Sequence, residues 1–135
     1  LTQVALGVAD ISSCALSVLA TVISKPTDDR LILDAGSKTL SSDRARGVES
    51  PDGFGAICPT FRTQTPDDRL LIERLSEEHA VVRISDGGSR LEPGDRVRII
   101  PNHACVVANL TDVLQLTEED TVIEEIAVAA KGTNR

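Results

Sequence analysis

Residues Cys14 to Asp34 read CALSVLATVISKPTDDRLILD, and this stretch decides the fold class. Its first part, Cys14 to Ser24, carries Val18, Thr21, Val22 and Ile23, whose side chains branch at Cβ and pack well on a pleated surface. Pro26-Thr27-Asp28-Asp29 supplies a turn, because proline presets φ and aspartate bonds its own backbone. Arg30 to Asp34 (RLILD) then returns as a second strand. Two strands joined by a loop of ordinary length predict an antiparallel pair.

Outward from that pair the pattern repeats. Gly53 to Ile57, Leu70 to Leu75, Ala80 to Ile84, Arg96 to Ile100, Val113 to Leu116 and Val122 to Val128 are short apolar runs between turn-forming clusters. Ala35 to Pro51 is rich in Gly, Ser, Asp and Arg. It predicts a long irregular loop with one helical turn near Ser41 to Ala45, and loops of that length are more often functional or mobile than incidental. About seven or eight strands with tight turns and at most short helices predict a mainly β domain over residues 1–135, built as a small barrel or sandwich.

Composition narrows the possible partners. A chain of 135 residues, 41% hydrophobic and 26% charged, has room for one domain with a real core. Its net charge of −7 argues against nucleic acid or an anionic membrane as partner. With two Phe and no Trp or Tyr, it has no stacking platform for bases or sugars. No apolar run approaches the ~20 residues that span a bilayer. Three widely spaced cysteines, Cys14, Cys58 and Cys105, do not form a disulfide framework and point to a reduced, cytoplasmic setting. The chain opens at Leu1, contains no Met, and its first residues TQVALG read as the inside of a folded segment. The expectation is a fragment or excised domain.

The chemistry concentrates after Arg96 to Ile100, a run entered through Pro93-Gly94-Asp95. Pro101-Asn102-His103-Ala104-Cys105 follows at once. If the strand continues, His103 and Cys105 lie on one face, close enough to share a metal ion that accepts imidazole and thiolate. Two protein ligands leave positions open, as a catalytic metal needs. The plainer alternative makes Cys105 a small buried hydrophobe and His103 a turn residue bonded to a carbonyl. Val106 to Leu110 stays open between a helical turn and more strand.

Two further segments stand out. Asp34 to Asp43 (DAGSKTLSSD) fails as a phosphate-binding loop because only Gly36 is present, but it is able to show Ser37 and Lys38 to an anionic group. Glu77-Glu78-His79 reads as a solvated turn. A carboxylate beside His79 would also suit proton transfer.

Taken in order, DAGSKTLSSD at Asp34 to Asp43, GFG at Gly53 to Gly55, SEEH at Ser76 to His79, GDRVRIIPNHAC at Gly94 to Cys105 and the Asn109-Leu110 pair resemble the carboxyl-terminal domain of the metal-activated D-threonine aldolase and D-serine dehydratase family. The resemblance runs roughly from Val4 to Leu116. It implies a β-barrel-like domain that partners an N-terminal pyridoxal-phosphate-binding barrel, in the architecture shared with alanine racemase. It implies His103 and Cys105 as ligands of a divalent metal, zinc or manganese, that polarises the β-hydroxyl of a D-hydroxy-amino-acid substrate. The pyridoxal phosphate would be held by the barrel, which this chain lacks, and none of Lys25, Lys38 and Lys131 lies at the family's cofactor lysine.

The wording leans toward an aldolase, cleaving D-threonine to glycine and acetaldehyde, over D-serine dehydratase, which yields pyruvate and ammonia. A freestanding, non-enzymatic domain that binds a ligand or another chain is the rival expectation. An isolated copy would expose the apolar face that meets the barrel and form a homo-oligomer through it.

Overall fold

The computed structural model describes residues 1–45, 52–85 and 88–133. These residues form eight strands: β1 (Val18–Thr27), β2 (Arg30–Leu33), β3 (Ala56–Cys58), β4 (Leu70–Leu75), β5 (Ala80–Ile84), β6 (Arg96–Ile100), β7 (Val113–Glu118) and β8 (Thr121–Ala127). Among the described residues three short α-helices accompany them, α1 (Thr2–Ala5), α2 (Ser37–Leu40) and α3 (Ala104–Leu110), with one 3-10 turn at Ile11–Ser13. The mainly β expectation holds, and the choice between barrel and sandwich falls to the barrel.

Six strands close on themselves in the order β1-β2-β5-β4-β3-β6, with β6 pairing back onto β1. Every neighbouring pair is antiparallel. Closure leaves no unpaired sheet edge in the barrel. Alternate residues point inward and form one core: Ala20 and Val22 from β1, Leu31 and Leu33 from β2, Leu70 and Ile72 from β4, Ala80 and Val82 from β5, and Val97 and Ile99 from β6. Burying each Leu, Ile or Val contributes about 1.5–3 kcal/mol.

Register shifts lie between Val22 and Thr27 in β1 and between Ile72 and Arg74 in β4. Such bulges bend a strand and raise its twist, which helps six short strands curl into a closed sheet. Pro26 falls inside the first irregularity, between the paired Ser24 and Thr27. There its missing N–H costs no ladder bond. The expected turn at Pro26 to Asp29 is therefore tighter than the sequence implies, since Thr27 already pairs with Arg30.

The long loop differs in detail. Its helical turn is α2 at Ser37–Leu40, ahead of the expected Ser41 to Ala45, because the backbone N–H groups of Thr39 and Leu40 bond back to Gly36 and that of Ser41 to Ser37. The part of the expected loop at residues 46–51 lies outside the described residues. The glycine-bounded strand expected over Gly53 to Ile57 begins only at Ala56. Gly53 has φ +82, and a Cβ there would stand 2.5 Å from the Ile72 carbonyl oxygen, so this bend needs glycine.

β7 and β8 form a separate two-stranded sheet. β8 is exposed along its whole length, and Val122, Ile123 and Ile126 are each more than 40% exposed. An ion pair of 3.3 Å from Arg62 Nε to Asp120 Oδ2 ties the hairpin's turn to the barrel side.

Candidate metal site at the end of β6

β6 delivers a buried segment and then turns outward. Ile99, Ile100, Pro101 and Asn102 are all buried, whereas His103, Ala104 and Cys105 are exposed. The extended geometry stops there. His103 keeps a strand-like backbone (φ −136, ψ 96) as the N-cap of α3, and Cys105 already lies in the first turn of that helix. The strand alternation expected to align the two side chains is thus replaced by a strand-to-helix junction. Val106 to Leu110 is helical because Val107 buries its side chain and helix α3 packs beside α2.

Asn102 anchors the junction. Its side-chain amide donates to the carbonyls of Asp43 at 3.1 Å and Gly53 at 3.0 Å. Its own carbonyl accepts from the N–H of Thr2 at 3.2 Å and from the Thr2 hydroxyl at 3.1 Å. Both amide partners are acceptors, so the NH2 group must face them. Asn102 Oδ1 is left buried without a donor among the described residues.

His103 Nδ1 lies 2.8 Å from Asp43 Oδ2. Asp43 was not singled out by the sequence, and its only signal was membership of the DAGSKTLSSD segment. It is held at three points: its N–H donates to Ser41 Oγ at 3.1 Å, its carbonyl accepts from Asn102, and its carboxylate meets His103. Arg44 is held too, with its guanidinium 4.6 Å from the centre of the Phe54 ring.

Cys105 is an exposed free thiol, so the reading of it as a small buried hydrophobe is set aside. That description fits Cys58, which is fully buried and whose thiol pKa is pushed up by burial, with Arg98 opposing. Cys14 is intermediate in exposure.

The segments carrying Ser37, Lys38 and His79 come together. Ser37 N–H donates to the Ser76 carbonyl at 2.8 Å and Lys38 N–H to the Glu77 carbonyl at 3.1 Å. Gly36 makes this docking possible, since a Cβ there would stand 2.3 Å from the Glu77 carbonyl oxygen. Lys38 Nζ bonds Glu78 Oε1 at 2.6 Å and Glu77 Oε2 at 3.0 Å. The Glu78 carboxylate first, then that of Glu77, raises the ammonium pKa above the ordinary lysine value. The two carboxylates that precede His79 in sequence are therefore engaged by Lys38. His79 itself closes the turn through its backbone: its N–H donates to Ser76 Oγ at 3.1 Å, and its carbonyl accepts from Ser76 N–H at 2.8 Å.

The other two lysines are also paired, Lys25 with Glu92 at 2.7 Å and Lys131 with Asp112 at 2.7 Å. An open cleft of about 650 Å³ runs between the barrel and the hairpin, lined by Val18, Leu19, Arg98, Leu114 and Val122 among others. Of the sequence-selected residues only Lys38 borders it. His103 and Cys105 sit outside it, on open surface. Among the described residues no group of three or more His, Cys, Asp or Glu side chains gathers as a metal cage.

Comparison with known proteins extends this picture. A family profile described as "Putative serine dehydratase domain" matches residues 15–117. An uncharacterized protein of Mycobacterium tuberculosis is 38% identical over 136 residues, covering 98% of this chain and 95% of that protein. D-threonine aldolase of Arthrobacter is 34% identical over 122 residues, covering 90% of this chain but 28% of the aldolase. D-threo-3-hydroxyaspartate dehydratase from Delftia superposes with a TM-score of 0.74 at 30% identity, over 88% of this chain and 33% of that one. Structures of D-threo-3-hydroxyaspartate dehydratase include a histidine-to-alanine variant and, two positions further along, a cysteine-to-alanine variant in a metal-free form. An alanine-racemase-like protein of Idiomarina loihiensis superposes with a TM-score of 0.73 at 32% identity, over 81% of this chain and 30% of that one. The chain thus spans about a third or less of the named enzymes it matches, yet nearly all of its mycobacterial relative. By the profile match over most of its length, this chain belongs to the serine dehydratase domain family, whose members here include the D-threonine aldolase and D-threo-3-hydroxyaspartate dehydratase relatives.

Proposed function

We propose that this chain is the metal-bearing domain of a pyridoxal-phosphate-dependent lyase acting on D-3-hydroxy amino acids, of the D-threonine aldolase type. The observation that carries the reading is the exposed His103 and Cys105 pair at the end of β6, with His103 Nδ1 held by Asp43. The donor set fits a divalent ion: one imidazole with its second nitrogen left over, and one accessible thiol, a combination that suits zinc, with manganese the alternative. A histidine and a cysteine at the same two-residue spacing are the positions altered in the related dehydratase structures.

When bound, such an ion supplies Lewis acidity toward a substrate hydroxyl. His103 and Cys105 would hold it, and the buried Pro101-Asn102 segment would fix their distance from the barrel core. All three lysines of the chain are engaged by carboxylates. The cofactor's lysine and phosphate contacts are assigned to an N-terminal barrel domain, on another part of the protein or on another chain, because this chain covers only 28% of its aldolase relative. In the same reading His79 transfers a proton, and Ser37 and Lys38 meet an anionic group, for which Lys38 must exchange its partners Glu77 and Glu78. The setting is cytoplasmic, and a homo-oligomer forms through the apolar hairpin.

Identities of 34% to the Arthrobacter aldolase and 35% to the Delftia dehydratase support the lyase class equally, and the aldolase form rests on the wording of the sequence. The superposition on the Delftia dehydratase supports D-serine or hydroxyaspartate dehydration as the alternative. The test is turnover of D-threonine and D-serine by the protein as its gene encodes it, supplied with pyridoxal phosphate and zinc or manganese. His103→Ala and Cys105→Ala serve as controls. Activity and metal content that survive both changes refute the metal role.

A second reading has its own observation. The mycobacterial relative is covered to 95% by this chain, so that protein has no length for a cofactor barrel. A freestanding domain that binds a metal or small ligand, or joins a separate chain, follows from it. An open reading frame running upstream into a barrel with a cofactor lysine would eliminate this reading for the present protein.

A further inference from the structure

The Asp43 and His103 side chains are 48% and 47% exposed, so their 2.8 Å contact adds at most about 1 kcal/mol to the fold. The chain nevertheless commits several features to placing Asp43. Ser41, two residues earlier, adopts φ 59 and ψ 172, a region that a non-glycine residue occupies at a cost of about 1–3 kcal/mol. Ser41 is 7% exposed, and its hydroxyl accepts the Asp43 N–H. Asn102, next to His103 in sequence, grips the Asp43 carbonyl. Strain and two partly buried hydrogen bonds thus serve a contact that stability alone does not reward.

Orientation is what the contact provides. A carboxylate that accepts from Nδ1–H fixes both the ring plane and the tautomer, leaving Nε2 with its lone pair free. We propose that Asp43 is a positioning residue that holds His103 as the Nδ1–H tautomer and turns Nε2 outward as the metal-facing nitrogen. This rests on the metal role proposed above, and its test separates the two.

Nitrogen-detected NMR of the metal-free chain at about pH 8.5, two units above the ordinary imidazole pKa, reads the tautomer directly. The assignment involves only two histidines, and His103→Ala identifies the second signal. His103 is expected as Nδ1–H. In Asp43→Asn, which keeps the backbone bonds to Ser41 and Asn102, that preference is expected to disappear while the thermal midpoint stays put. Zinc affinity, measured by calorimetry with competing chelators, is expected to fall about 10–100-fold in Asp43→Asn.

A wild-type His103 protonated at Nε2, or an Asp43→Asn chain with unchanged tautomer or unchanged zinc affinity, would overturn the proposal. If zinc binding is absent from the wild-type chain or survives His103→Ala, the metal reading fails, and the tautomer measurement still decides whether Asp43 sets the ring.

Discussion

The side-chain amide of Asn102 donates to the carbonyl of Gly53 at 3.0 Å, inside the protein and across 49 residues of sequence. The same NH2 group reaches Asp43, so one buried side chain ties two loops to the end of β6. In Asn102→Ala both carbonyls lose their donor, while the unpaired Oδ1 is also removed, which offsets part of the loss. The expected destabilisation is about 1–3 kcal/mol, read as a lower urea midpoint. Asn102→Asp should cost more than Ala, because it sets a carboxylate against two carbonyls.

Gly36→Ala should destabilise by about 1–3 kcal/mol through overpacking alone, since φ at Gly36 is ordinary. The added Cβ meets backbone on the Glu77–Glu78 side, 2.3 Å from an oxygen and 2.5 Å from a nitrogen, and backbone does not step aside as a flexible side chain does. Faster amide exchange at Ser37 and Lys38, whose N–H groups bond that turn, is the local signature to look for.

Ile72 is fully buried in the barrel, and Ile123 is 55% exposed on the hairpin. Truncating the first to alanine leaves a cavity and should cost about 2–5 kcal/mol. The same change at Ile123 should stay within about 0.5 kcal/mol. Paired denaturation curves measure the difference. Equal effects would mean that the hairpin shares the barrel's core.

The thiols should separate by burial. An aromatic disulfide reagent is expected to label Cys105 first and Cys58 only on unfolding. Burial raises the Cys58 pKa in the folded chain. The unfolded chain therefore releases this proton first, so stability is full below the ordinary thiol value of about 8.5 and declines as pH rises from there toward the folded value. Cys58→Ala should flatten that decline.

The exposed Val122, Ile123 and Ile126 predict concentration-dependent association of the isolated chain. Sedimentation velocity over a wide concentration range checks it, and Ile123→Lys should shift the population toward monomer. A wild-type chain that sediments as a clean monomer throughout would remove the hairpin as an association surface.

The strands β4, β5 and β6 were legible at their observed bounds from alternation and turn residues, because a two-residue period is a property of adjacent side chains and needs no knowledge of the partner strand. The His-Ala-Cys tripeptide was legible as candidate chemistry for the same reason, being three neighbouring residues. Closure of β6 onto β1 was not, since Val18 and Ile99 pair across 81 positions of chain and nothing local encodes that contact. The helix at Ala104–Leu110 stayed undecided between helical turn and strand over Val106 to Leu110, because burial of Val107 and packing against α2 are what settle so short a run. Asp43 stands 60 residues from His103, brought there by a strained serine and a buried asparagine amide. Local sequence carries the donors, while the partner that orients them depends on where the closed barrel sets two distant loops.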